Sequence, residues 1–183
     1  MANHMTQIIK DIPYRFRIID AYSAEIQTDV LTYLDEAISE FRFFCGHIYQ
    51  FYYHGKCIRT LAKPQEMILP IDKIQVSQFY ISEKKLTEVK SEITHLDHIR
   101  IPIANINNQW VSLDGHTRLK YLEQNDIKKV ICYYDEYDPY IVDFVNAAKK
   151  KKLFTIHDLP IISEEEYERK WIAYCQNYFK NKT

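Results

Sequence analysis

One stretch in the middle of this chain places a hairpin, a short loop and a helix in direct succession. Alternating apolar residues along Ile101–Ile106 and again along Trp110–Leu113 predict two strands, and Asn107-Asn108 between them is typical of a tight turn. Asp114-Gly115-His116 then forms a loop, and the pattern from Thr117 to Gln124 predicts a helix. Strands and helices that follow one another in this way indicate an α+β fold.

The flanking residues extend this unit to a predicted core over 66–135. Met67–Ile74 has the pattern of a strand interrupted by Pro70, and Lys129–Tyr134 predicts a closing strand. Between them Ser82 has the position of a helix N-cap, because apolar residues recur after it at helical spacing.

The residues before the core predict a helix–hairpin extension over 1–65. Apolar residues after Ser23 recur at three- and four-residue steps, which predicts a helix over 24–44. His47–Tyr53 and Cys57–Leu61 surround a glycine turn and predict a hairpin. This extension holds many aromatic residues, so its surface either packs on the core or forms a homodimer interface.

The residues after the core predict a helical segment over 136–183. Asp138-Pro139 has the pattern of a helix start, and we expect that helix to run to about Lys151. Ser163 followed by three glutamates is a capping-box start for a final helix that reaches about Phe179.

Composition limits the classes of partner. Among 183 residues, 46% are hydrophobic, and 24 basic residues balance 25 acidic ones. The chain can therefore form a packed core, and it lacks the basic stripe of a protein that coats DNA.

The cysteines and the hydropathy pattern predict a cytoplasmic protein. No two of Cys45, Cys57, Cys132 and Cys175 have C-x-x-C spacing, and each lies among apolar or aromatic residues, so we expect reduced, packed thiols. No apolar run approaches the length of a membrane span, and we expect neither a signal peptide nor contact with a membrane.

The loop at Asp114-Gly115-His116 is the strongest candidate for a binding site. The N–H groups at a helix start are unpaired and carry partial positive charge, and Gly115 allows a ligand to approach the backbone closely. His116 and Arg118 add donors, so phosphate is the expected anion. Asp114 would then hold Mg²⁺ or accept a proton from a hydroxyl group. The alternative is an ordinary helix cap beside a surface arginine.

Three segments together resemble the ParB/sulfiredoxin superfamily. They are Ile71-Asp72-Lys73-Ile74, Ser82-Glu83-Lys84-Lys85-Leu86, and the hairpin that leads into Asp114-Gly115-His116-Thr117-Arg118. The resemblance covers about residues 66–135 and implies a small mixed sheet with packed helices. The tail after Asp158 is similar to that of small bacterial ParB-like proteins.

The resemblance implies a nucleotide site, with ATP, ADP or CTP and Mg²⁺ as ligands. Gly115, His116, Thr117 and Arg118 would hold phosphates. Asp114 matches the acidic residue in the Asp-Gly-His-His-Arg string of the free serine kinase branch, beside the reacting hydroxyl.

The chain also departs from each branch of the superfamily. It has no cysteine near the motif, unlike sulfiredoxin, and no clear helix-turn-helix after the core, unlike ParB proper. The position nearest to the kinase's catalytic glutamate is Gln78, which cannot act as a base. Glu83 would have to replace it, or Asp114 would act alone.

A further candidate lies in the segment His95-Leu96-Asp97-His98. Two histidines three residues apart can bind a metal ion, but the segment has the character of an exposed polar loop. If that loop borders the site, His98 would contact the substrate.

Three functions stay open at this point. The first is transfer of a phosphoryl group from ATP or ADP to a small hydroxyl compound such as free serine. The second is a DNA-associated or regulatory module in which the nucleotide acts as a switch. The third is a non-catalytic interaction protein.

Overall fold

The computed structural model describes residues 4–93 and 95–182 and has the predicted α+β character, with mixed sheets and several helices. The first sheet has the order β1-β2-β3-β4-β5. Its strands are β1 (His4–Ile9), β2 (Ile12–Ile18), β3 (Ser23–Gln27), β4 (Gln50–Tyr53) and β5 (Lys56–Thr60). Helix α1 (Leu34–Phe44) packs on this sheet, where Phe41 stacks on Phe16 with 4.3 Å between ring centroids. The two rings lie at the centre of a separate hydrophobic core.

The predicted helix over 24–44 is wrong in its first part. Ser23–Gln27 is a strand that pairs with β2 on one side and β4 on the other. Ala24 and Ile26 alternate into the core, whereas Val30 is exposed. Ile26 and Val30 are four residues apart, a spacing that is also typical of a helix. As a strand, however, this segment forms backbone hydrogen bonds with a neighbour on each edge.

The N-terminal region is therefore a five-stranded sheet with one helix, not a helix and a hairpin alone. The predicted hairpin is present as β4 and β5, and its turn residues His54 and Gly55 have positive φ. A second hairpin, β1 and β2, was not predicted. Its turn uses Lys10 and Asp11, which also have positive φ but lack the Asn-Gly pattern typical of such turns.

The second sheet has the order β6-β11-β9-β10-β7 and mixes parallel and antiparallel pairs. Its strands are β6 (Glu66–Pro70), β7 (Ile74–Gln75), β9 (Arg100–Ile106), β10 (Gln109–Ser112) and β11 (Lys129–Tyr134). The predicted turn at Asn107-Asn108 joins β9 to β10 with positive φ at both residues. A short parallel pair, β8 (Ile81–Ser82) with β12 (Ile161–Ile162), lies apart from it.

Helices pack around the second sheet. They are α2 (Glu83–Glu92), α3 (His116–Gln124), α4 (Tyr140–Lys150), α5 (Glu164–Tyr167) and α6 (Ala173–Lys180). Ser82 caps α2 as predicted, because its side chain accepts a hydrogen bond from the Lys85 N–H. A π-helical turn over Glu168–Ile172 joins α5 to α6, so the final helix of the sequence prediction is present with one wide turn. No helix in the described residues is long and apolar enough to cross a membrane.

A buried polar cluster connects the two sheets. Arg100 in β9 donates through Nε to Glu66 Oε1 at 2.9 Å and through Nη2 to the Tyr22 hydroxyl at 2.9 Å. Tyr22 in turn donates to Glu66 Oε2 at 3.0 Å. The Arg100 side chain is only 5% exposed, so this ion pair is satisfied on both sides within the protein.

None of the four cysteines forms a disulfide. Cys45 and Cys132 are buried, as expected, and burial raises the pKa of each thiol to about 12. The expectation is wrong for Cys57, which is exposed because β5 is an edge strand of the first sheet.

Candidate functional site

The N-terminus of α3 is built by Gly115 in a left-handed conformation. Its φ of 81° turns the chain from β10 into the helix, and a Cβ at this position would lie 3.0 Å from Arg118 Nη2. No side chain caps the helix. The first N–H groups of α3 therefore have no helical partner and are free to bind an acceptor.

Arg118 lies one turn into α3, and its guanidinium is turned back toward that helix start. It donates through Nη1 to the Arg100 carbonyl oxygen at 3.0 Å and through Nη2 to Asp114 Oδ2 at 3.1 Å. The Arg118 side chain is 9% exposed, whereas that of Asp114 is 70% exposed. A fixed guanidinium thus lies beside a carboxylate that reaches solvent.

Asp114 is held in its charged form. Partial burial opposes ionisation, but the Arg118 guanidinium and the Gly115 N–H outweigh it and lower the pKa of the Asp114 carboxyl. At neutral pH this side chain accepts hydrogen bonds or binds cations, and it does not donate a proton.

His116 is buried at the start of α3. Its Nε2 accepts a hydrogen bond from the Ser77 N–H at 3.1 Å. Burial lowers its pKa to about 4, and the Arg118 charge acts in the same direction, although Asp114 opposes it. The ring is therefore neutral at pH 7, and its Nε2 is already used. Through Nε2, His116 ties the segment after β7 to the start of α3. The proton of the neutral ring is then on Nδ1, so the predicted role as a phosphate donor stays a prediction for that atom.

Two serines extend this connection. Ser77 Oγ donates to the Ser112 carbonyl oxygen at 2.8 Å, and Ser112 Oγ donates to the Asp114 carbonyl oxygen at 2.7 Å. Both serines are buried. Hydrogen bonds from buried serines thus fix the Asp114-Gly115 loop on its interior side. This favours a binding surface that is already formed before a ligand binds.

A cavity of about 560 Å³ opens over the start of α3, and we call it the α3 cavity. A volume of this size lies in the range of small-molecule sites. The predicted residues Gln78, Asp114, Gly115, His116, Thr117 and Arg118 all line it. The structure thus brings together six of the eight residues that the sequence singled out.

Gln78 and Glu83 occupy different places relative to this cavity. The Gln78 amide nitrogen donates to the Tyr80 carbonyl oxygen and, at 3.3 Å, to the Tyr167 hydroxyl, so it is part of the wall. Glu83 is exposed on the first turn of α2 and is not among the lining residues. The carboxylates that α2 does bring to the cavity are Glu88 and Glu92.

Several lining residues were missed by the sequence analysis. One of these missed residues is a cation, Lys85 on α2. Its Nζ lies 4.8 Å from the centroid of the Tyr167 ring. Tyr167 and Trp171 come from the C-terminal helices, and Met5 and Phe44 come from the N-terminal region. Lys85, Tyr167 and Trp171 belong to segments that carried the family resemblance, but nothing in the local sequence places Met5 and Phe44 here.

His98 borders a different, smaller cavity of about 80 Å³. Its ring stacks on His95 with 4.9 Å between centroids, and both are exposed. Arg118 also lines this cavity, so the two cavities meet at its side chain. His98 itself does not reach the α3 cavity.

The donor set also limits which metal ions fit. In the described part of the chain no group of three or more His, Cys, Asp or Glu side chains could hold a metal ion. Asp114 offers a single exposed carboxylate. That suits Mg²⁺ only where phosphate oxygens and water supply the other ligands.

Comparisons with known proteins give little further information. No protein-family model and no curated protein matches the chain. A solved structure, protein Atu1540 from Agrobacterium tumefaciens, is similar with a TM-score of 0.36 and 16% identity. The alignment covers 54% of this chain and 63% of that chain, which is less than two thirds of its length. The resemblance to the ParB/sulfiredoxin superfamily therefore stays a prediction.

Proposed function

We propose that this protein binds a nucleotide in the α3 cavity, with its phosphates at the start of α3, and transfers a phosphoryl group to a small hydroxyl compound. The observation that carries the proposal is the uncapped start of α3 at Gly115, with Arg118 fixed beside it and Lys85 in the wall of the same cavity. Free N–H groups, a helix dipole and two cations together favour a polyanion.

Lys85 strengthens this interpretation because it has no counter-ion. It forms no salt bridge within residues 4–93 and 95–182, and its Nζ rests over the Tyr167 ring. A lysine in that position gains an ionic partner when a phosphate enters. The Tyr167 and Trp171 side chains form an apolar part of the wall, which suits a nucleobase.

Phosphoryl transfer mainly requires positioning and charge neutralisation. Asp114 is ionised, exposed and adjacent to the proposed phosphate position, so it can orient the acceptor hydroxyl or bind Mg²⁺. Bound Mg²⁺ would neutralise charge on the phosphates. Since Glu83 lies outside the cavity, we assign the orienting role to Asp114 alone.

The binding test compares two neighbouring lysines. Thermal unfolding is followed with ATP, ADP, CTP and GTP, each with and without Mg²⁺, for the natural protein and for Lys85→Ala. At about 100 times Kd a nucleotide stabilises the folded state by about 2.7 kcal/mol, or a few degrees. We expect Lys85→Ala to weaken binding about tenfold.

Lys84→Ala is the matched control, because Lys84 is exposed on the same turn of α2 and does not line the cavity. Its nucleotide response should equal that of the natural protein. If no nucleotide shifts the melting temperature, the proposal is wrong. If both lysine variants lose the shift equally, the phosphates bind elsewhere.

One observation favours a second candidate function, a nucleotide-dependent switch. Met5, Phe44 and Trp171 line the same cavity although they come from distant parts of the chain. A nucleotide that contacts all three would favour one arrangement of these parts. Hydrogen exchange with a non-hydrolysable nucleotide tests this: slower exchange in β1 and in the π-helical turn, without turnover of ATP, would support a switch over a kinase.

A further inference from the structure

A second cavity lies between the end of α1 and the segment 135–138 that joins β11 to α4, and we call it the acidic groove. Its volume is about 560 Å³, in the range of small-molecule sites. Four carboxylates line it, those of Asp114, Asp135, Glu136 and Asp138. It shares Asp114 and Phe44 with the α3 cavity but otherwise has different walls.

Three of these carboxylates have no counter-ion. Asp135, Glu136 and Asp138 form no salt bridge within the described residues. Arg42 also lines the groove, but its Nε and Nη2 donate to the carbonyl oxygens of Ile48 and Gly46. These carbonyl contacts leave the Arg42 charge in place, and that charge acts on Asp135. Glu136 and Asp138 therefore supply the excess negative charge of the groove.

Tyr133 provides an independent indication of a ligand. It is 3% exposed and lines the groove, yet its hydroxyl has no hydrogen-bond partner among the described residues. Among the described residues, His47 Nδ1 is the side-chain atom that is both closed off from solvent and unpaired, so the unpaired Tyr133 hydroxyl is open to the groove, where a ligand can bond it. Burial raises the pKa of Tyr133, so the hydroxyl stays neutral and can accept a hydrogen bond.

Aromatic side chains form much of the remaining wall, together with Pro102, Leu113 and Ile141. Phe43 is 78% exposed, Phe44 packs edge-on against it, and Tyr137 is also exposed. Partial burial raises the pKa of Asp135, although the Arg42 charge and the Glu136 N–H act in the opposite direction. Carboxylates next to exposed aromatic rings are the chemistry that binds organic cations, through ion pairs and cation–π contacts.

We propose that the acidic groove binds a small organic cation that carries a guanidinium or alkylammonium group. Glu136 and Asp138 pair with the charge, Tyr133 accepts a hydrogen bond from the N–H, and Phe43 covers the alkyl part. This site is additional to the proposed nucleotide site and requires no nucleotide to be bound.

The test uses n-butylguanidinium chloride as the probe and n-butylurea as its neutral analogue of the same shape. Amide chemical shifts of the isotope-labelled protein are followed during titration of each, at constant total salt. We expect saturable shifts with the cation at residues around 133–141 and 42–46, and none with the urea. Equal shifts with both compounds, or none with either, would overturn the proposal.

Two variants locate the binding site. Glu136→Gln/Asp138→Asn should weaken binding of the cation at least tenfold, because it removes two charged acceptors. Tyr133→Phe keeps the ring and removes the hydroxyl, and it should weaken binding severalfold. Spectra without ligand show whether each variant is folded.

The matched control is Asp126→Asn/Glu165→Gln, which removes two exposed carboxylates away from the groove. It should bind the probe as the natural protein does. Equal weakening in the control would mean that only net charge attracts the cation, and the proposal would fail. Lys85→Ala should keep full cation binding, so loss of nucleotide binding and loss of cation binding are separate results.

Discussion

The Nε2 atom of His116 accepts a hydrogen bond from the backbone N–H of Ser77, across 3.1 Å in the buried centre of the site. This contact joins the segment after β7 to the first residue of α3. It also requires the imidazole to be neutral, because a protonated ring would place two N–H groups against each other. The site is therefore coupled to pH through His116, a residue in the wall of the α3 cavity.

The first prediction is a loss of stability in mild acid. The pKa of His116 is lowered from 6.5 to about 4 and that of His47 to about 3, in both cases mainly by burial. Below pH 6.5 the unfolded chain binds these protons and the folded protein does not. The free energy of unfolding should therefore fall as pH drops from 6.5 to about 4, by about 1.4 kcal/mol per pH unit for each histidine.

Urea unfolding between pH 7.5 and 4 measures this slope. In His116→Gln an amide oxygen can still accept from Ser77, but the titrating group is gone, so the slope should decrease by about one proton. His4→Gln, at an exposed position, should leave it unchanged. Identical slopes in all three proteins would show that His116 is not protected from protonation.

A second prediction concerns two glycines with similar backbone geometry. Gly115 and Gly55 have φ of 81° and 73°. At Gly55 no atom lies within 4 Å of an added Cβ, whereas at Gly115 Arg118 and Ile101 each lie at 3.0 Å. Gly55→Ala should cost about 1 kcal/mol from backbone strain alone, and Gly115→Ala should cost roughly 2–3 kcal/mol.

Chemical denaturation of both variants measures how much each substitution lowers the free energy of unfolding. Gly115→Ala should also weaken nucleotide binding, because the Cβ displaces the Arg118 guanidinium. Equal destabilisation of the two variants would mean that Arg118 and Ile101 move aside without cost.

A third prediction concerns the buried ion pair between Glu66 and Arg100, two residues of the second sheet. Glu66→Gln leaves Arg100, which is 5% exposed, without its carboxylate, so we expect a loss of roughly 3 kcal/mol. Glu166→Gln breaks the exposed pair with Lys170 and should cost less than about 1 kcal/mol. Thermal and urea unfolding compare the two. A small effect at Glu66 would indicate that water or another group replaces it.

A fourth prediction separates binding from transfer. Asp114→Asn removes the exposed carboxylate but keeps a similar shape, so nucleotide binding without Mg²⁺ should persist or tighten as repulsion is lost. Phosphorylation of free serine, followed by mass spectrometry with ATP or ADP as donor, should fall at least about 100-fold if Asp114 orients the hydroxyl. Unchanged transfer would exclude that role for Asp114.

Local sequence patterns predicted the elements around the site well. The strand over Lys129–Tyr134 has the predicted bounds, and the hairpin, the loop at Gly115 and the start of α2 at Ser82 lie where expected. Each of these features depends on residues that are close together in the sequence. Alternating apolar residues form the strands, the Asn107-Asn108 pair forms the turn, and the Ser82 hydroxyl caps the helix. Where a second pattern fitted equally well, as at Ala24 and Ile26, the prediction failed, because strand partners distant in sequence decided the outcome.

The sequence by itself determined that a strand, a glycine turn and a helix start meet at residues 112–116, because backbone propensity and turn chemistry act locally. Only the tertiary structure decided how the side chains there are used. It paired His116 with the Ser77 N–H, fixed Arg118 on the Arg100 carbonyl and brought Lys85 into the wall of the same cavity. Those contacts join separate elements, and packing of the whole chain sets them rather than any local spacing.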